Sequence, residues 1–135
     1  MPSDQNLDAL TRRLKDFAEA RQWSRFHTPR NLAMALGGEV GELLAELQWL
    51  SEDEAVELVR AGPHRERVVD EVADVATYLL RFCDVLDIDL VQAVARRIEQ
   101  NEQRLPVQHV TGRAVRTREL QDGSALADRG PLPTS

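Results

Sequence analysis

Residues 68–83 read Val68-Val69-Asp70-Glu71-Val72-Ala73-Asp74-Val75-Ala76-Thr77-Tyr78-Leu79-Leu80-Arg81-Phe82-Cys83. No strict alternation of apolar and polar residues runs through this stretch, so it does not read as a half-buried strand. As a helix it is apolar nearly all round, which marks a central element of an α-helical core. Its acids are exceptions to that pattern. Glu71, Asp74 and Tyr78 fall three and four residues apart and share one helical face. The expected helix runs from Pro63 to about Leu86.

Upstream, Thr28 suits an N-cap and Pro29 a first helical position. The helix they open is expected to reach about Leu50. Leu32, Leu36, Val40, Leu43, Leu47 and Leu50 form one face. Glu39, Glu42, Glu46 and Trp49 fall within a second sector of about 80°, at about 100° per residue. Ser51 and Glu54 form a capping box for a short helix ending near Ala61-Gly62. Residues 5–23 place Leu7, Leu10, Leu14 and Phe17 at helical spacing. Asp89 opens a last helix, which Pro106 stops after Arg104.

Residues 106–135 hold three of the seven glycines and three of the six prolines, with no sustained periodicity. They read as a flexible or loosely docked C-terminal tail. The expected organisation is an all-α domain over residues 1–105, a four- to five-helix bundle, followed by that tail. Aromatic residues are only 4% of the chain, which argues against a β-sandwich. Four or five short helices make a thin core, so a homo-oligomer is expected.

The formal net charge is −6. The tail carries 3 acids and 4 arginines, or +1, which leaves −7 on residues 1–105. An acidic body without a basic patch is a poor partner for nucleic-acid backbones. No apolar run approaches the ~20 residues of a membrane span. The opening MPSDQNLDAL lacks a signal-peptide pattern, and Cys83 is the single cysteine. No intrachain disulfide can form, and a cytoplasmic setting is expected. Cys83, inside an apolar stretch, reads as a plain core thiol.

Two acid-x-x-acid pairs on two helices carry the chemistry: Glu39 with Glu42, and Glu71 with Asp74. Like charges converging at low dielectric repel strongly. Protons or cations must neutralise them, and all-oxygen ligands suit hard cations such as Mg²⁺, Mn²⁺ or Ca²⁺. Gly37, Gly38 and Gly41 lie beside the first pair. Each costs ~1 kcal/mol against alanine inside a helix. Their clustering suggests either tight helix packing or close approach by another backbone or a ligand. A di-iron or di-manganese bundle would use Glu-x-x-His motifs. None of His27, His64 or His109 has a glutamate three residues before it.

The strings FAEARQW, FHTPRNLAMALGGEVGELLAELQW, DEVADVATYLL and RIEQNEQRLP, over about residues 10–107, resemble the MazG-like nucleoside triphosphate pyrophosphohydrolases. The dCTP pyrophosphatase branch is the most similar. The resemblance implies Mg²⁺-dependent hydrolysis of a nucleoside triphosphate to monophosphate and pyrophosphate, with Mn²⁺ a possible substitute ion. The implied substrates are pyrimidine dNTPs such as dCTP or a modified dCTP. By the same resemblance Glu39, Glu42, Glu71 and Asp74 are metal ligands. Glu39 and Glu42 are the candidates for activating water. Trp23 and Trp49 would flank the base, Tyr78 would contact phosphate, and Arg97 and Asn101 would bind the triphosphate. Arg104 shares the face of Arg97 and Asn101. His27, Arg30 and Asn31, at the start of the second helix, are further anion-contact candidates. Leu14 departs from the branch, which has a base-reading histidine there. A homodimer or homotetramer is implied. A broad dNTP or dUTP hydrolase is the nearest alternative activity. A non-catalytic acidic interaction module is an alternative of another class.

Overall fold

The computed structural model describes residues 5–112, and among them there are helices and turns but no strand. Helix α1 spans Leu7–Ala20. The Asn6 side chain caps it, accepting from the Ala9 N–H at 2.8 Å. Gln22, just past the helix, takes a left-handed φ of 56° that turns the chain. A 3-10 turn follows at Ser24–Phe26. Helix α2 spans Pro29–Leu47, with the Thr28 hydroxyl accepting from the Asn31 N–H at 3.2 Å. Helix α3 spans Glu52–Arg60. Its capping box is complete: the Glu54 N–H reaches the Ser51 hydroxyl at 3.2 Å, and the Ser51 N–H reaches the Glu54 carboxylate at 2.9 Å.

Helix α4 spans Arg65–Val85, starting two residues later than Pro63. The turn before it requires a glycine, because a Cβ on Gly62 would sit 2.6 Å from the Leu58 Cα. Asp87, with φ 53°, ends the reversal after α4. Helices α5 (Leu90–Arg104) and α6 (Val107–Val110) complete the described chain. Two compact units divide between Asp89 and Leu90. The expected tail, residues 106–135, lies outside the described residues from position 113 onward.

Within the first unit α4 is the central element. It packs mainly on α2 and also touches α1 and α3. Among the described residues the buried apolar side chains are few: Ala18, Leu32, Val68, Leu80 and Cys83. Burial pushes the Cys83 thiol up, which keeps it protonated and unreactive, as a core thiol should be. Other apolar positions remain open. Met34 and Leu44 on α2 are 66% and 61% exposed, and Val69 and Val72 on α4 are about half exposed. The apolar girth of α4 is therefore only partly used inside this chain.

Candidate active site

The α2–α4 seam brings the two acidic motifs together. One carboxylate oxygen each from Glu39, Glu71 and Asp74 lies within 4.8 Å of the other two. Both motifs were placed on helix faces by spacing alone. The close α2–α4 packing turns those faces toward each other. Glu42 is exposed and falls outside that trio. Glu46 is engaged elsewhere, accepting from Arg67 Nε at 3.0 Å and tying α2 to α4.

Glu71 lies at the electrostatic centre. Burial raises its carboxyl above the ordinary value of 4.5, and the charges of Glu39, Glu42, Asp74 and Glu46 push it the same way. Such a group favours a proton or a cation beside it. Three carboxylates in reach of one point are the donor set of a hard cation. The residues fit a divalent metal.

Tyr78 and Thr77 follow Asp74 by about one turn of α4. They line a cavity of about 110 Å³ with Leu14, Phe17, Trp23, His27 and Arg81. Trp23 packs edge-to-face on Phe17, with ring centroids 5.7 Å apart. The guanidinium of Arg21 covers Phe17, 3.6 Å from the ring centroid.

Residues 35–120 match the MazG-like family. The chain belongs to the MazG-like family. Mouse dCTP pyrophosphatase 1 is 39% identical over 120 residues, 87% of this chain and 69% of the relative. The human dCTP pyrophosphatase 1 is 32% identical over 127 residues, 94% of this chain and 75% of the relative. A solved pyrophosphatase from Archaeoglobus fulgidus DSM 4304 superposes with a TM-score of 0.70 at 41% identity, covering 73% of this chain and 91% of its own. This MazG-like chain is a hydrolase of the dCTP-pyrophosphatase-like type.

Two features of this MazG-like site differ from the helical arithmetic. Trp49 lies just past the helix that carries the acids, because α2 ends at Leu47 and Gln48–Trp49 form a turn. Its ring is 86% exposed. The glycines of α2 are not packing contacts among the described residues: a Cβ at Gly37, Gly38 or Gly41 would meet nothing there within 4 Å. Tight helix packing among the described residues is therefore not their reason.

Candidates at the start of α2 have local partners. Asn31 Nδ2 donates to the Phe26 carbonyl at 3.0 Å, and His27 Nδ1 accepts from Arg81 Nε at 3.1 Å. Arg30 is exposed. Arg97 and Asn101 lie on α5, in the second unit. Arg97 Nη1 donates to Gln100 Oε1 at 3.3 Å, and Asn101 Oδ1 accepts from Arg104 Nη2 at 2.9 Å.

Sequence reasoning passed over Arg81 and Asp84. Arg81 is 7% exposed and Nη1 donates to Asp84 Oδ2 at 2.6 Å. A signal was present: an arginine inside Leu79-Leu80-Arg81-Phe82-Cys83 must find partners if that run is buried. Spacing alone did not say what those partners were.

Proposed function

We propose that this chain hydrolyses pyrimidine deoxynucleoside triphosphates, such as dCTP or a modified dCTP, to the monophosphate and pyrophosphate. The carrying observation is the Glu39–Glu71–Asp74 trio, one helical turn from an aromatic cavity. The dCTP pyrophosphatase relatives support the same reading.

In this reading Glu39, Glu71 and Asp74 would hold Mg²⁺, with Mn²⁺ able to replace it, and Glu42 is the fourth carboxylate of the ligand set, the one least committed to the ion. When bound, the ion offsets the carboxylate charge and stabilises the negative charge that develops on departing pyrophosphate. Water attacks the α-phosphorus in line. A bond forms from its oxygen to that phosphorus, and the bond from the α-phosphorus to the bridging oxygen breaks. Glu42, outside the trio, orients that water and takes its proton; Glu39 is the other carboxylate suited to the task. Trp23 and Trp49 flank the base, and the Tyr78 hydroxyl contacts phosphate. Arg97 and Asn101 bind the triphosphate, as planar arginine forks do well.

The same reading includes a homodimer or homotetramer. The open apolar faces of α2 and α4 support this, as do glycines with empty space above them, where a second backbone or a ligand can approach. The enzyme acts in the cytoplasm on the nucleotide pool, with no nucleic acid or membrane partner. Leu14 in the cavity wall favours a second version of the activity, a broader dNTP or dUTP hydrolase, because an alkyl chain cannot hydrogen-bond a base edge.

The test is a panel of dNTPs, NTPs and 5-substituted dCTPs with Mg²⁺, with products separated by chromatography. Monophosphate and pyrophosphate are expected in equal amounts, and water labelled with heavy oxygen should mark the monophosphate. Accumulation of diphosphate and orthophosphate would place the attack at the γ-phosphorus and overturn the proposal.

A further inference from the structure

The cavity one helical turn from Asp74 has a polar wall in which two side-chain bonds fix His27 and Arg81. Leu14, Phe17 and Trp23 supply apolar surface, and Thr77 and Tyr78 each bring a hydroxyl. His27 and Arg81 complete the lining. Arg81 is buried, and its charge is matched by Asp84 at 2.6 Å. Its Nε donates to His27 Nδ1 at 3.1 Å. A guanidinium can only donate, so Nδ1 must be the accepting nitrogen. A neutral imidazole then carries its proton on Nε2. Burial, and secondly the Arg81 charge, hold His27 below its ordinary value of 6.5, which keeps the ring neutral at pH 7.

The chain Asp84–Arg81–His27 therefore presents a single oriented N–H donor on a ring with no net charge. The Asp84 carboxylate offsets the Arg81 charge, so the pair draws a polyanionic phosphate less than an unpaired arginine would. A neutral donor among aromatic and aliphatic walls suits an uncharged acceptor on a flat ring. We propose that His27 is a specificity-determining residue, donating its Nε2–H to the 2-carbonyl oxygen of a pyrimidine base, and that Arg81 is the positioning residue that fixes its tautomer. This rests on the nucleotide reading above and deepens it. Cytosine and uracil both carry that carbonyl, so His27 selects pyrimidine rings with the oxygen and does not separate the two.

The experiment measures kcat and KM for dCTP, dUTP and 2-thio-dCTP, whose sulfur is a poor acceptor. Deleting one neutral hydrogen bond is worth about three- to tenfold in affinity. His27→Leu should raise KM for dCTP and dUTP alike by about that factor, with kcat changed less than twofold. His27→Gln, whose amide can donate from a similar place, should recover most of it. Wild type should lose a similar factor on 2-thio-dCTP, and His27→Leu should lose no more, the non-additivity of two changes to one contact. The double variant Arg81→Leu/Asp84→Leu removes the charge pair without stranding either partner. Circular dichroism checks that it folds, and its KM should rise as for His27→Leu. An unchanged KM in His27→Leu, or an additive loss on 2-thio-dCTP, overturns the proposal while wild-type turnover still stands. Wild type that releases pyrophosphate from no nucleotide would instead sink the underlying functional reading.

Discussion

Glu39 on α2 and Glu71 on α4 bring carboxylate oxygens within 4.8 Å of each other across the seam between the helices. Asp74 adds a third within the same limit. Their mutual repulsion disfavours the folded state when no cation is bound, and the same repulsion gives a cation its affinity. Glu71→Gln removes one charge while keeping the side-chain shape. Its pyrophosphohydrolase turnover should fall by roughly a hundredfold or more, on the scale of losing a group that supports transition-state charge. Its melting temperature in EDTA should rise. The stabilisation of wild type by Mg²⁺ should shrink in the variant. Full activity in Glu71→Gln at saturating Mg²⁺ would exclude the ligand role.

The pH dependence of stability in EDTA should carry the signature of the same carboxyl. Folded Glu71 keeps its proton at pH values where the unfolded chain, near 4.5, has lost it. The folded state then binds more protons, so stability falls as pH rises from 4.5 through the raised value. His27 works in the opposite direction. Its folded value lies below 6.5, so its contribution is full above 6.5 and is lost as pH falls through the folded value. Urea titrations of wild type and Glu71→Gln from pH 4 to 8 separate the two. The variant should lose the falling limb and keep the rising one.

Gly38 lies in the interior of α2 with open space where a Cβ would project. Gly38→Ala should therefore stabilise the isolated chain, by about 0.5–1 kcal/mol from helix propensity. If a ligand or a second copy approaches that backbone, the methyl group should at the same time lower activity or weaken self-association. Thermal melts, kinetics and light scattering on one preparation read all three. A variant that gains stability and loses neither would show that Gly38 has no binding role.

The two tryptophans should behave differently. Trp23 packs on Phe17 and lines the cavity, so Trp23→Ala should both lower stability and raise KM. Trp49 is 86% exposed, so Trp49→Ala should leave the melting temperature of the isolated chain nearly unchanged. Base stacking on an aromatic is worth ~1–3 kcal/mol. A stacking role for Trp49 therefore predicts a KM rise of roughly ten- to a hundredfold with no stability cost. An unchanged KM would remove Trp49 from the site.

Local interactions explain why the helix boundaries were legible. Thr28, and Ser51 with Glu54, form caps within four residues of themselves, and the structure has those caps. Pro63 misled by two residues because its turn is shaped by Gly62 against Leu58, not by proline alone. The end of α2 was overrun by about three residues. Leu50 continues the apolar spacing, but the turn at Gln48–Trp49 precedes it. Periodicity registers side-chain type and cannot see where backbone bonding stops.

The sequence by itself determined the helices of the described residues, the caps at Thr28 and Ser51, and two acidic pairs set on helix faces at spacings of three. Those features depend on residues within one or two turns of each other, and helix geometry is the same wherever the helix sits. Only the tertiary structure decided which acids meet. It put Glu39 with Glu71 and Asp74, gave Glu46 to Arg67, left Trp49 in solvent, and joined Arg81 to His27 across 54 positions of sequence. Such pairings depend on the rotation and offset of one helix against another. Many side chains set that packing at once, and no spacing within a single helix encodes it.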